Sequence, residues 1–141
     1  MNLLNTFLIL LTYLIYTIIL AKKHVLQLEE SDLRVKGFLT GARSKSKAWH
    51  RLDAAINTLL LLAFMLFAAM PFNLHFVAVL IAGLSLRWLV FDAAWNYFRH
   101  VSFWYRGSTG DMDSFNIPLW LFFASKFAFV ILSIAFVVIS E

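Results

Sequence analysis

Two five-residue strings carry polar groups in a pattern that could do chemistry: Asp53-Ala54-Ala55-Ile56-Asn57 and Asp92-Ala93-Ala94-Trp95-Asn96. Both read D-A-A-x-N. In a helix, residues four apart share a face, so each string offers a carboxylate beside an amide, with alanines that let a neighbouring backbone come close. If the two helices run in opposite senses and meet, Asp53 lies level with Asn96 and Asn57 with Asp92. His50 falls one turn before Asp53 on the same face. Carboxylate and amide oxygens without thiolates suit a hard divalent cation, Mg²⁺ or Ca²⁺, and one histidine also admits Mn²⁺. Structural readings compete with the metal: Asp53 at a helix start complements the helix dipole, and the two asparagines can tie helices together by hydrogen bonds.

A second candidate is the run Trp104-Tyr105-Arg106-Gly107-Ser108-Thr109-Gly110-Asp111-Met112-Asp113. Two glycines bracket the hydroxyls of Ser108 and Thr109, so backbone N–H groups here, with Arg106, could hold a phosphate. Asp111 or Asp113 could fold over the first site and add a carboxylate. The plainer reading is a Gly-Ser-Asp turn between helices. Neither a P-loop, a dinucleotide fingerprint nor an EF-hand spacing is present. The string Y-x-G-S-T-x-x-x-D (Tyr105, Gly107, Ser108, Thr109, Asp113), after a D-x-x-x-N helix end, resembles small uncharacterised four-helix membrane proteins of Bacteroidetes and their phages, over about residues 50–115. The resemblance implies a four-helix membrane architecture and transfers no activity.

The elements that must position these groups follow from composition. Of 141 residues, 62% are hydrophobic and only 14% charged, against about half and a quarter in a soluble domain. Such a chain is neither soluble nor disordered. Without cysteine it has no disulfide, thiolate zinc site or iron–sulfur cluster. A bilayer core takes about 20 apolar residues per helix, and four segments qualify: about 3–21, 52–72, 76–98 and 118–139. Their apolar runs are continuous, not alternating as in a membrane barrel. The first lacks a leading cation, and Lys22 and Lys23 follow it, so it reads as a retained helix rather than a signal peptide. The expected fold is an all-α, polytopic integral membrane protein: one domain of four transmembrane helices in an up-down bundle, with loops at 22–51 and 99–117.

Cation placement orients it. The first loop holds Lys22, Lys23, Arg34, Lys36, Arg43, Lys45, Lys47 and Arg51, and the second holds Arg99 and Arg106. The positive-inside rule puts both loops in the cytoplasm and both termini outside. Apolar residues among the charges of 25–38 predict that the first helix continues past the membrane or bends along its surface, ending near Gly37 and Gly41. The basic run suits anionic lipid headgroups. It lacks the aromatic or groove-reading element that nucleic acid needs.

The other two cations, Arg87 and Lys126, fall inside the spans, where charge marks function by default. Lys126 is the expected partner of Asp92. Arg87, about 140° round the helix from Asp92, is expected to face elsewhere. His24, His75 and His100 read as solvated helix-end residues, and the tryptophans as an interfacial belt. Three function classes follow. The favoured one is a cytoplasm-facing polar site for a hard cation or a phosphate-bearing ligand, with lipid-phosphate chemistry as its enzymatic form. The second is a small ion or solute transporter or channel subunit acting as a homo-oligomer. The third is an accessory or holin-like protein whose polar residues only join helices.

Overall fold

The computed structural model describes residues 3–69, 71–103, 105 and 118–140. Its four helices are α1 Leu3–Val35, α2 Leu39–Ala68, α3 Leu74–Phe98 and α4 Leu119–Ser140. Each is long and apolar enough to cross a membrane. The surface is inside-out for a water-soluble protein: Leu132 is 67% exposed while Lys126 is fully buried. Exposed apolar surfaces this large mark faces that contact a membrane or other protein.

Residues 22–51 form no loop. α1 runs on past Ala21 to Val35 and α2 begins at Leu39, so the segment is a helical hairpin. Its Leu, Glu, Lys, Arg and Ala residues are good helix formers, and Glu30 pairs with Arg34 one turn on at 2.7 Å. The turn is a Schellman motif: Phe38 N–H donates to Leu33 O at 2.8 Å and Gly37 N–H to Arg34 O at 3.1 Å. Gly37 sits at φ +79°, a conformation that costs a residue without Cβ little. Gly41, expected to end the first helix with it, lies instead within α2. There a Cβ would come within 3.4 Å of Leu33 Cδ1, so it serves close packing. At the other turn Asn73 caps α3, its side chain accepting from Phe76 N–H at 3.0 Å.

α1 packs against both α2 and α3, and α4 packs on α3. α2 and α3 touch beside their short connection, where the Phe67 and Phe76 rings lie 5.4 Å apart. At their far ends α1 comes between them. α1 and α3 run parallel in even register, Thr6 beside His75, Tyr13 beside Gly83 and His24 beside Phe91 and Trp95. The apolar core is Ile9 of α1, Ala78, Val79 and Ala82 of α3 and Val137 of α4. The small residues of α3 let its neighbours approach closely.

Candidate functional site

Two polar layers bound this core. The first lies towards the basic end, where α1 and α2 run on into their hairpin and α3 nears its C-terminus. There Lys23 of α1 pairs with Asp53 of α2, and Lys126 of α4 with Asp92 of α3. The second lies at the terminal end. Thr6 Oγ1 meets His75 Nε2 at 3.0 Å, and His75 Nδ1 meets Ser140 Oγ at 3.2 Å. Ser140 donates its own hydrogen to Val137 O, so it must accept from Nδ1–H, which leaves Nε2 to accept from Thr6. His75 is buried, not solvated as expected. From Thr6 to Lys23, and from His75 to Asp92, the layers stand about 25 Å apart at 1.5 Å per residue. Between them Ser85 Oγ and Ser133 Oγ join α3 to α4 at 2.7 Å.

Lys126 finds the partner expected for it. Its ammonium group also lies 3.4 Å from Trp88 O and over the rings of Phe122, Trp88 and Phe123, with centroids 4.5, 5.0 and 5.9 Å away. Three aromatic faces and one carboxylate thus replace the water that a buried ammonium has lost. Asp92 keeps 44% of its side chain exposed.

The two D-A-A-x-N strings do not meet. α1 stands between them, and Lys23 takes the place beside Asp53 that Asn96 was expected to fill. Asn57 is exposed on α2, without a hydrogen-bond partner among the described residues. Asn96 is buried and faces the chain after α3, donating to Phe103 O at 3.1 Å and Tyr105 O at 2.6 Å. His50 is exposed and its ring stacks on Trp49, centroids 3.6 Å apart. Ala93 and Ala94 line an apolar groove of about 450 Å³ with Ile18 and Phe127, not a contact with α2. The expected ligand set Asp53, Asn57, Asp92, Asn96 and His50 is therefore dispersed, and no three His, Cys, Asp or Glu residues gather among the described residues. The physical reason is that each carboxylate found a lysine on a neighbouring helix. Arg106, Ser108, Thr109, Asp111 and Asp113 lie outside the described residues.

The hairpin holds a third polar group. Glu30 accepts from Trp49 Nε1 at 2.5 Å and from Arg34 Nε at 2.8 Å. The Trp49 hydrogen bond, then Arg34, holds its carboxyl below the usual range. Glu29 pairs with Lys45 at 2.5 Å. The acids of α1 thus neutralise Arg34 and Lys45, and Asp53 neutralises Lys23. On the outer face of α2, Arg43, Lys47 and Arg51 follow one another at four-residue steps. They are exposed, with no ion-pair partner among the described residues.

Arg87 and Asp92, expected to face different ways, line one open pocket of about 350 Å³ on the uncovered side of α3, with Leu84, Trp88 and Phe91. Sequence reasoning missed that pocket, the His75 layer and the Ser85–Ser133 pair. One signal for the layers was present: Thr6 stands as far from Lys23 as His75 does from Asp92, which marks polar residues at both ends of the apolar stretches of two parallel helices. Compared with protein-family models, with curated proteins and with solved structures, the chain shows no significant match. The likeness of the Tyr105–Asp113 string to Bacteroidetes membrane proteins stands on that string alone.

Proposed function

We propose that the chain is a four-span integral membrane protein with both termini outside, and that its cytoplasmic α1–α2 hairpin binds the phosphate groups of anionic lipid headgroups. On this reading it is an accessory protein that organises or senses the lipid around it. The observation that carries the reading is the sorting of cations on the hairpin. Lys23, Arg34 and Lys45 are each paired with a carboxylate, whereas Arg43, Lys47 and Arg51 on α2 are exposed with none among the described residues.

Distances support the assignment. The polar layers stand about 25 Å apart, close to the roughly 30 Å of a bilayer's hydrocarbon core. With Asp53 at the edge of that core, Arg51, Lys47 and Arg43 lie about 3, 9 and 15 Å beyond it. A headgroup layer of about 5–7 Å then embeds Arg51, while Lys47 reaches it through its flexible stem and Arg43 stands about 8–10 Å outside it, still within a Debye length. Each such cation contributes about 1 kcal/mol next to an anionic surface, within the reach of a Debye length. The same residues at the same end orient the chain by the positive-inside rule.

The test is thermal unfolding in lipid nanodiscs of phosphatidylcholine with and without phosphatidylglycerol. The anionic lipid should raise the midpoint of the wild type at low salt and much less at high salt. The combined variant Arg43→Gln, Lys47→Gln, Arg51→Gln should lose that increment. An increment that survives the three substitutions overturns the reading. Orientation is checked by single cysteines, which meet no background in a chain without cysteine: Asn73→Cys should label from outside and Ser46→Cys should not.

A further inference from the structure

Arg87 is the one intramembrane charge left without a partner among the described residues. It stands on the apolar side of the Asp92–Lys126 pair, about 7.5 Å nearer the bilayer centre along α3. A guanidinium there must find an anion, and Asp92, which lines the same pocket, already shares its charge with Lys126. Its surroundings are ordered along the membrane normal. In chain order along α3, from the centre towards the basic end, the residues that line the pocket are Leu84, Arg87, Trp88, Phe91 and the half-exposed Asp92. A glycerophospholipid presents the complementary series from the same direction: acyl chain, phosphate, headgroup. The match holds whichever face of the membrane the basic end occupies, because Arg87 is the deeper charge in either case.

Helix geometry puts the Arg87 and Asp92 Cα atoms roughly 9 Å apart, and the long Arg87 stem lets its guanidinium reach from there towards the headgroup level. Asp92 uses one oxygen, Oδ2, on Lys126, and no described residue takes the other. That oxygen calls for a hydrogen-bond donor, and a charged donor bonds a carboxylate about twice as strongly as a neutral one. We propose that this pocket holds the headgroup of a glycerophospholipid bearing a primary ammonium, with the phosphate on Arg87 and the ammonium on Asp92. A choline headgroup has no N–H to give, and a glycerol headgroup offers only neutral hydroxyls. The inference rests on the membrane-spanning reading but not on the basic face of α2.

The two are separable in one experiment. The full chain carrying Arg43→Gln, Lys47→Gln and Arg51→Gln is stripped of lipid in mild detergent. It is then offered phosphatidylethanolamine, phosphatidylcholine and phosphatidylglycerol of identical chains, and the lipid retained is counted by native mass spectrometry. The ethanolamine lipid should be retained at least fivefold over the other two. Adding Arg87→Leu, which leaves the Asp92–Lys126 pair in place, should reduce its retention to the choline level. Arg87→Gln, closer in size and polarity, should do the same and covers the case in which the leucine variant fails to fold. Equal retention of ethanolamine and choline lipids overturns the proposal, as does a preference for the glycerol headgroup or one that survives both Arg87 substitutions.

Discussion

The two lysine–aspartate pairs at the basic end use the same chemistry at the same level, in unlike surroundings. Lys23 and Asp53 retain 17% and 38% of their side-chain surface, and Lys126 none. Lys23 has Trp49 on one side, its ring centroid 5.7 Å away, and the open flank of the hairpin on the other. Lys126 is enclosed by aromatic rings, with Asp92 as its only carboxylate among the described residues. A charge at the rim can turn to water or to a headgroup when its partner is lost, but a charge inside cannot. The α1–α2 pair is therefore a contact, whereas the α3–α4 pair is a condition for burying Lys126 at all.

The sharpest way to break that contrast is to remove each carboxylate in turn. Asp92→Asn should cost about 3 kcal/mol, the lower end of the range for orphaning a buried charge, because the amide oxygen still accepts one hydrogen bond. Adding Lys126→Met should restore most of the loss, since methionine fills the stem's space among the rings without a charge. Unfolding by denaturing detergent in bicelles measures both. A double variant as unstable as the sum of its single changes would show that the pair is a contact like the other one.

How far the site was legible in the sequence depends on whether its residues interact along one helix or between helices. The four helices could be read because each contains a continuous apolar run, and Lys126 could be matched with Asp92 because each is an isolated charge at a similar level of two helices consecutive in the chain. The pairing of the D-A-A-x-N strings failed for lack of packing order. Nothing in the residues 52–98 says that α1 inserts between α2 and α3, and with α1 there Lys23 outcompetes Asn96 for Asp53. Arg87 and Asp92 were judged by an angle about one helix axis. That reasoning overlooks long side chains and the shared space between them. His75 looked solvated because it sits beside a turn. Its burial is decided by Thr6 and Ser140, remote in sequence and unremarkable in type.

The second pair should respond weakly. Asp53→Asn should cost less than about 1 kcal/mol, as exposed ion pairs do, and less again at high salt, where charges near water are screened. The same bicelle unfolding read at two ionic strengths checks it. A salt-independent loss as large as that of Asp92→Asn would place Lys23 in the interior with Lys126.

The smallest effect belongs to Glu30, farther along the hairpin, and pH brings it out. Its carboxyl is held below the ordinary range by the Trp49 indole N–H first and Arg34 second, so the folded hairpin prefers the charged form. The unfolded chain has no such preference, and its glutamates titrate near 4.3. A depressed acid of this kind contributes stability that is complete above the unfolded value. The contribution is lost as pH falls through the folded one. Between pH 7 and 5 Glu30 should therefore contribute no change to amide exchange in the hairpin, at residues 28–35 and 45–50, and any change there belongs to His24, which burial holds below the usual imidazole range. Below about pH 4 protection should fall there before it falls in α3 and α4. Glu30→Gln should exchange faster at neutral pH and lose that acid-dependent step, while leaving the Lys126–Asp92 end untouched. An unchanged acid profile in Glu30→Gln would assign the step to Glu29 or Asp53. In that case the hairpin would be held by its more exposed pairs, not by the part-buried hydrogen bond between Trp49 and Glu30.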